Sequence, residues 1–231
     1  MYSLNTEVLT LTDIAQVLTQ SITLDERSQI NIQKCRDFLD RKMQDVNKTY
    51  YGINTGFGAL CNVKISNEDI EQLQENLVLS HACGLGQEVP PHIVKLMLLL
   101  KIQNFVYGHS GISLKVVERL IAFYNQDILP VVYQLGSLGA SGDLAPLAHL
   151  SLPILGKGMV YHQGVKKDAA QLEFPPLTLQ SKEGLALLNG TQFMSSYAVW
   201  CVLKIKKLMA WADLIAAISF EGYDATLEPF T

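Results

Sequence analysis

The stretch GSLGASGDLAP, residues 136–146, carries Gly, Ser or Ala at seven of eleven positions, just where a helical pattern begins. One chemistry that suits so little side chain is a backbone reacting with itself. An amide nitrogen is a feeble nucleophile, so its attack on a carbonyl two residues upstream requires the chain to bend until the two touch. Gly142 offers the least hindered nitrogen, and Ala140 leaves its carbonyl uncovered. Ser141 can lose its hydroxyl as water and become a dehydroalanine. The product is a five-membered ring with an exocyclic methylene, a strong electrophile made without an external cofactor. A helix starting just beyond adds partial positive charge at its amino end. Taken alone, the same residues are accounted for more plainly by a flexible turn feeding a capped helix. A phosphate cradle fits poorly, since no buried strand precedes the stretch and no Gly-Lys-Ser/Thr follows.

The elements that must position this stretch read as mainly helical. TLDE at 23–26 matches a capping box and precedes Ile32, Cys35, Phe38, Leu39, Met43 and Val46 at helical spacing. SNED at 66–69 caps a second helix through about Leu79. PPHIVKLMLLLKIQNFVYG has prolines at its start and Gly108 at its end, the punctuation of a third helix. LKVVERLIAFYNQ is a fourth. Asp143 caps a helix toward Leu155, bent at Pro153. SKEGLALLNGTQ is a helix ending at Asn189–Gly190, and an apolar helix runs from about Thr191 to Tyr223. Strands are short: EVLTL near the amino end, and a hairpin in MVYHQGVKKDA turning at Gly164. The glycine-rich YYGINTGFGALCN is a loop.

Composition narrows the class. Apolar residues make up 48% and charged residues 17% of the 231 positions, a balance that suits a subunit hiding surface against other chains. The formal net charge of −4 and the lack of a basic cluster argue against nucleic acid. Cys35, Cys61, Cys83 and Cys201 have neither CxxC nor metal-ligand spacing, so no metal site is expected and the thiols read as free in a cytoplasmic protein. His92, His109, His149 and His162 likewise lack ligand spacing. No secretion signal is evident, and the longest apolar tract, interrupted by three lysines and Asp213, reads as a helix buried in a bundle and not as a membrane span.

GSLGASGDLAPLAHLSL resembles the signature of the aromatic amino acid lyases, which form 4-methylidene-imidazol-5-one (MIO) from Ala-Ser-Gly. YYGINTGFG is similar to the tyrosine loop of that family, KEGLALLNGTQ to its asparagine segment, and NLVLSHACGLG to its ring-binding segment. The four motifs span nearly the whole chain in the expected order. The resemblance implies that Ala140, Ser141 and Gly142 form the MIO and that Asp143 assists the cyclisation. It makes Tyr51 the catalytic base, on a loop flanked by Gly52, Gly56 and Gly58 that can close over substrate. A phenol titrating near about 10 needs a positive or donor-rich site for that role. Asn189 matches the asparagine that contacts the ring or substrate, while an Asn-Gly helix end is also an ordinary C-cap.

Substrate choice is carried by Ser80-His81, the pair that the resemblance associates with L-histidine; tyrosine lyases tend to show His-Leu there and phenylalanine lyases Phe-Leu. An imidazole substrate needs a hydrogen-bonding partner, which His81 can be. The implied activity is histidine ammonia-lyase, giving trans-urocanate and ammonia, in a cytoplasmic homotetramer with no nucleic-acid or membrane partner. The alternatives are a tyrosine or phenylalanine ammonia-lyase, an MIO aminomutase, or a non-catalytic helical oligomer of the same fold. One departure is Ser113, where the family often carries Arg. The family's second tyrosine, substrate-binding arginine and ring-contacting glutamate belong to a downstream half outside these residues, so the stretch is expected to be an amino-terminal part, inactive alone. The expected architecture is a small globular region with short strands over 1–108, then the MIO segment and the start of a long helical bundle over 109–231.

Overall fold

The computed structural model describes residues 1–45, 48–56, 63–138 and 142–230. Val46, Gly58, Cys61, Ala140 and Ser141, all singled out above, lie outside the described residues. The architecture is mainly helical, with short strands, as the sequence pattern predicts.

The helix α4 (Pro91–Val106) is the central element. Proline at N1 supplies a preset φ, and Gly108 at φ +70° ends it where a Cβ would strike the Asn31 backbone at 2.8 Å. Its apolar residues lie on every side, and Ile93, Val94, Leu96 to Leu99, Ile102, Phe105 and Val106 are all buried. It packs against α2 (Glu26–Met43), α5 (Leu114–Asn125) and α8 (Gln192–Gly222). One hydrophobic cluster takes side chains from Leu4 through Phe193.

The amino end differs from expectation. EVLTL is not a strand: Thr10 and Asp13 form a reciprocal capping box that starts α1 (Leu11–Val17). The first strands are β1 (Tyr2–Leu4) and β2 (Ile22–Leu24), paired in parallel. Thr23 therefore belongs to β2, and Asp25 caps α2 by accepting from the Ser28 amide at 2.8 Å. Along α2 the buried positions are Ser28, Ile32, Arg36 and Leu39, while Phe38 is exposed. Arg36 is buried because its guanidinium donates to the carbonyls of Gly111 (3.0 Å) and Ser181 (2.8 Å), to Ser181 Oγ, and to Asp40.

The remaining strands are β3 (Leu85–Glu88), β4 (Leu129–Pro130), β5 (Tyr133–Leu135), β6 (Met159–His162) and β7 (Val165–Asp168). β3 pairs antiparallel with β5; β4, β6 and β7 form a three-stranded sheet. The β6–β7 hairpin turns at Gln163 and Gly164, both at positive φ. α3 (Ile70–His81), α6 (Leu144–Ser151) and α7 (Glu183–Leu188) complete the order, and a 3₁₀ turn at Leu152–Leu155 follows α6 where Pro153 stops the α-helix. Within this chain only Gln192, Phe193 and Ser196 of α8 are buried. Val202, Ile205, Leu208, Met209, Trp211, Leu214, Ile215, Ile218 and Phe220 are exposed, so the helix expected inside a bundle presents its apolar surface outward here. No helix among the described residues is long and apolar enough to cross a membrane.

Candidate active site

The strap before α6 is held at both ends. Leu138 and Gly142 pair in an isolated antiparallel bridge, which brings together the residues flanking Gly139, Ala140 and Ser141. Gly142 has φ +100°, and a Cβ there would lie 3.0 Å from the Gly190 carbonyl oxygen. Both facts demand glycine, the residue whose nitrogen the cyclisation chemistry wants least hindered. Gly136, at φ +124°, comes so close to α6 that a Cβ would meet Ala145 Cβ at 2.9 Å.

Asp143 is fully buried, at 0% exposure. It occupies the N-cap position of α6, but its side chain makes no cap bond there. Its carboxylate turns the other way: Oδ1 accepts from Ser137 Oγ at 2.6 Å and Oδ2 from the Met194 amide at 3.0 Å. Met194 is the third residue of α8, so Asp143 caps that helix and its charge meets the positive helix end. The Asp143 amide donates to the Gly190 carbonyl at 2.9 Å. The strap and the turn between α7 and α8 are thereby locked together.

Asn189 ends α7, as its Asn-Gly sequence suggests. Its amide nitrogen Nδ2 donates to Leu185 O at 2.8 Å, and its backbone carbonyl accepts from Lys101 Nζ at 2.7 Å. Lys101 comes from the middle of α4, is 1% exposed, and is pushed down to about 7 by burial. Across the turn, α7 lacks a side-chain cap of its own; the buried Gln74 of α3 supplies one, its Oε1 accepting from the Gly184 amide at 2.9 Å. This contact fixes α3, which carries Ser80 and His81, relative to Asn189.

Ser80 and His81 stand at the carboxyl end of α3. His81 Nδ1 lies 2.8 Å from the Leu77 carbonyl and therefore carries the proton, which makes Nε2 its acceptor; Ser80 Oγ is 3.2 Å from the same Nδ1. Both residues line a mainly apolar cleft of about 370 Å³ with Gly56, Val63, Ile65 and Leu77. Beyond His81, Gly84 approaches the strap and packs on α6: its amide donates to His149 Nε2 at 3.0 Å, and burial holds the His149 imidazole below its ordinary value.

The tyrosine loop forms the other wall of the cleft. Thr55 and Lys64 bridge its two arms, Gly56 N donates to Val63 O at 3.0 Å, and buried Asn54 ties Tyr50 N and Lys48 O. Tyr51 sits on the outer turn before Gly52, 62% exposed, and is not among the described residues lining the cleft.

The structure thus brings Gly142 and Asp143 against Asn189–Gly190, and Ser80 and His81 against the tyrosine loop. Sequence reasoning did not find Lys101, Gln74, Ser137 or His149. The one signal for the first two was a lone polar residue within an otherwise apolar helix face. Among the described residues Cys35, Cys83 and Cys201 are free, and no group of three or more acidic, His or Cys side chains could hold a metal.

A family model described as aromatic amino acid lyase matches residues 9–231, and the chain belongs to that family. It is 42% identical to the histidine ammonia-lyase of Bacillus subtilis over 236 aligned positions, covering 100% of this chain and 46% of the relative. The crystal structure of histidine ammonia-lyase from Trypanosoma cruzi superposes with a TM-score of 0.88 at 33% identity, covering 97% of this chain and 44% of that one. The phenylalanine aminomutase of Pantoea agglomerans is similar in fold, with a TM-score of 0.90 at 28% identity over 100% of this chain and 46% of that one. The chain spans about half the length of the curated relatives it matches.

Proposed function

We propose that the protein carrying this chain is a histidine ammonia-lyase, converting L-histidine to trans-urocanate and ammonia, and that it works as a homo-oligomer. The observation that carries the substrate choice is the Ser80–His81 pair in the cleft wall, with His81 Nδ1 donating to Leu77 O and Nε2 left as an acceptor for an imidazole N–H. The 42% identity to a bacterial histidine ammonia-lyase supports the same choice.

The positions around Gly142 fit an MIO. In the proposed cyclisation the Gly142 nitrogen bonds to the Ala140 carbonyl carbon, whose oxygen leaves as water. Ser141 then loses its Cα proton and its hydroxyl as a second water. Once formed, the group supplies an electrophile that draws electrons from the substrate and eases loss of both the β-proton and the amine. Ser137 and the Met194 amide orient the Asp143 carboxylate beside the forming ring, where it can accept a proton during cyclisation. Tyr51 takes the substrate β-proton when its loop covers the cleft, and Asn189 orients ring or substrate. Residues 1–108 thus supply the base and the Ser80–His81 pair, and 109–231 the electrophile, Asp143 and Asn189.

The aminomutase likeness defines a second reading, in which the amine returns to the β-carbon. Incubation of the full-length protein with L-histidine, L-tyrosine and L-phenylalanine, with separate detection of arylacrylate, ammonia and β-amino acid, decides between them. Urocanate and ammonia from L-histidine alone are expected. Turnover of only tyrosine or phenylalanine, or formation of a β-amino acid, overturns the proposal.

A further inference from the structure

We propose that Lys101 is a positioning residue for the reactive strap, holding the Asn189–Gly190 backbone against Gly142 and Asp143 through the Asn189 carbonyl. The inference rests on the lyase reading and extends it to a residue outside the four motifs that carry the resemblance.

Three observations carry it. Lys101 is the one charged residue among the buried positions of α4, which are otherwise apolar apart from Gln103. An amine in such a core is costly to bury, so its retention calls for a specific partner. Among the described residues no carboxylate pairs with it; beyond the face of the Phe105 ring at 5.1 Å, its partner is the Asn189 carbonyl at 2.7 Å. The next carbonyl along, that of Gly190, accepts from Asp143 N at 2.9 Å and would stand 3.0 Å from a Cβ on Gly142. Two successive carbonyls are thus held, one by the core and one by the strap. Gly190, at φ +144°, adds no side chain to stiffen the turn. Without the Lys101 donor the Asn189 carbonyl loses its side-chain partner, and the wall against which Gly142 packs loses its anchor.

The test compares the full-length protein with K101M, which keeps the stem without a donor, and K101R, which keeps donors. Intact mass followed over time reports loss of two waters. Hydrogen exchange of peptides covering 188–194, set against peptides from α5, reports the turn separately from general stability. K101M is expected to cyclise about tenfold more slowly and to lose protection over 188–194 but not in α5, and K101R to restore both. K101M that matches wild type in mass and exchange overturns the proposal. Should K101M not fold, K101R decides: wild-type cyclisation and protection support the role, and a folded K101R that stays unmodified overturns it. Wild-type protein that never loses water refutes the lyase reading instead, and exchange over 188–194 then still decides whether Lys101 holds the turn.

Discussion

Replacing Asp143 by alanine removes two contacts at once, and the structure sets the size of the effect. The carboxylate accepts from Ser137 Oγ at 2.6 Å and from Met194 N at 3.0 Å, with 0% exposure and so no water to take its place. Hydrogen bonds to a charged group contribute about 1.5–3 kcal/mol each, and an amide left buried without an acceptor adds to the loss. The missing N-cap of a 31-residue helix is part of the second bond and not a further term. D143A is therefore expected to lose roughly 3–5 kcal/mol, a large share of a typical stability of about 5–15 kcal/mol. D143N keeps an acceptor and the shape, and should lose roughly half as much. Urea unfolding of both variants, monitored by circular dichroism, measures the difference. A D143A variant within about 0.5 kcal/mol of wild type would refute the claim that this carboxylate joins strap and helix.

Further outcomes follow from the same geometry. Gly142→Ala places a Cβ 3.0 Å from Gly190 O at φ +100°, so it should destabilise by about 1–2 kcal/mol and block cyclisation, read as an unchanged intact mass. His149 has its folded pKa lowered by burial, so the unfolded chain takes up a proton first: stability is full above about 6.5 and declines as pH falls from there toward the folded value. H149Q, which keeps an acceptor for Gly84 N, should flatten that decline between pH 7 and 5 in urea melts, and an unchanged slope would contradict it. His81→Phe should cut kcat/KM for L-histidine by about 10²-fold or more, because the substrate ring loses its polar partner. Residues 1–231 expressed alone should self-associate through the apolar surface of α8, and a monodisperse monomer in light scattering would count against it.

Much of this was legible in the residues. α4 and α7 are punctuated by Pro91, Gly108 and Asn189–Gly190, local signals that act within a turn of the helix end. At the amino end two local signals compete: the short apolar run EVLTL suggests a strand, yet the Thr10–Asp13 capping box wins. Spacing puts Phe38 in the core stripe of α2 but marks a face without saying how wide it is; Arg36 takes the buried place through carbonyls 75 and 145 residues away. The composition of α8 reads as a helix buried in a bundle, yet its apolar surface is exposed within this chain, and periodicity does not say what would cover it. The site divides the same way. Gly142, Asp143 and Asn189 stand in recognisable strings, whereas Lys101 meets a carbonyl 88 residues downstream and no string announces that pairing.

The central claim is that this chain builds an electrophile from its own backbone. The intact mass of the full-length protein, with fragmentation across residues 136–146, tests it most directly. A mass short by two waters, localised to Ala140–Gly142, is expected. An unmodified tripeptide in the folded full-length protein would contradict it.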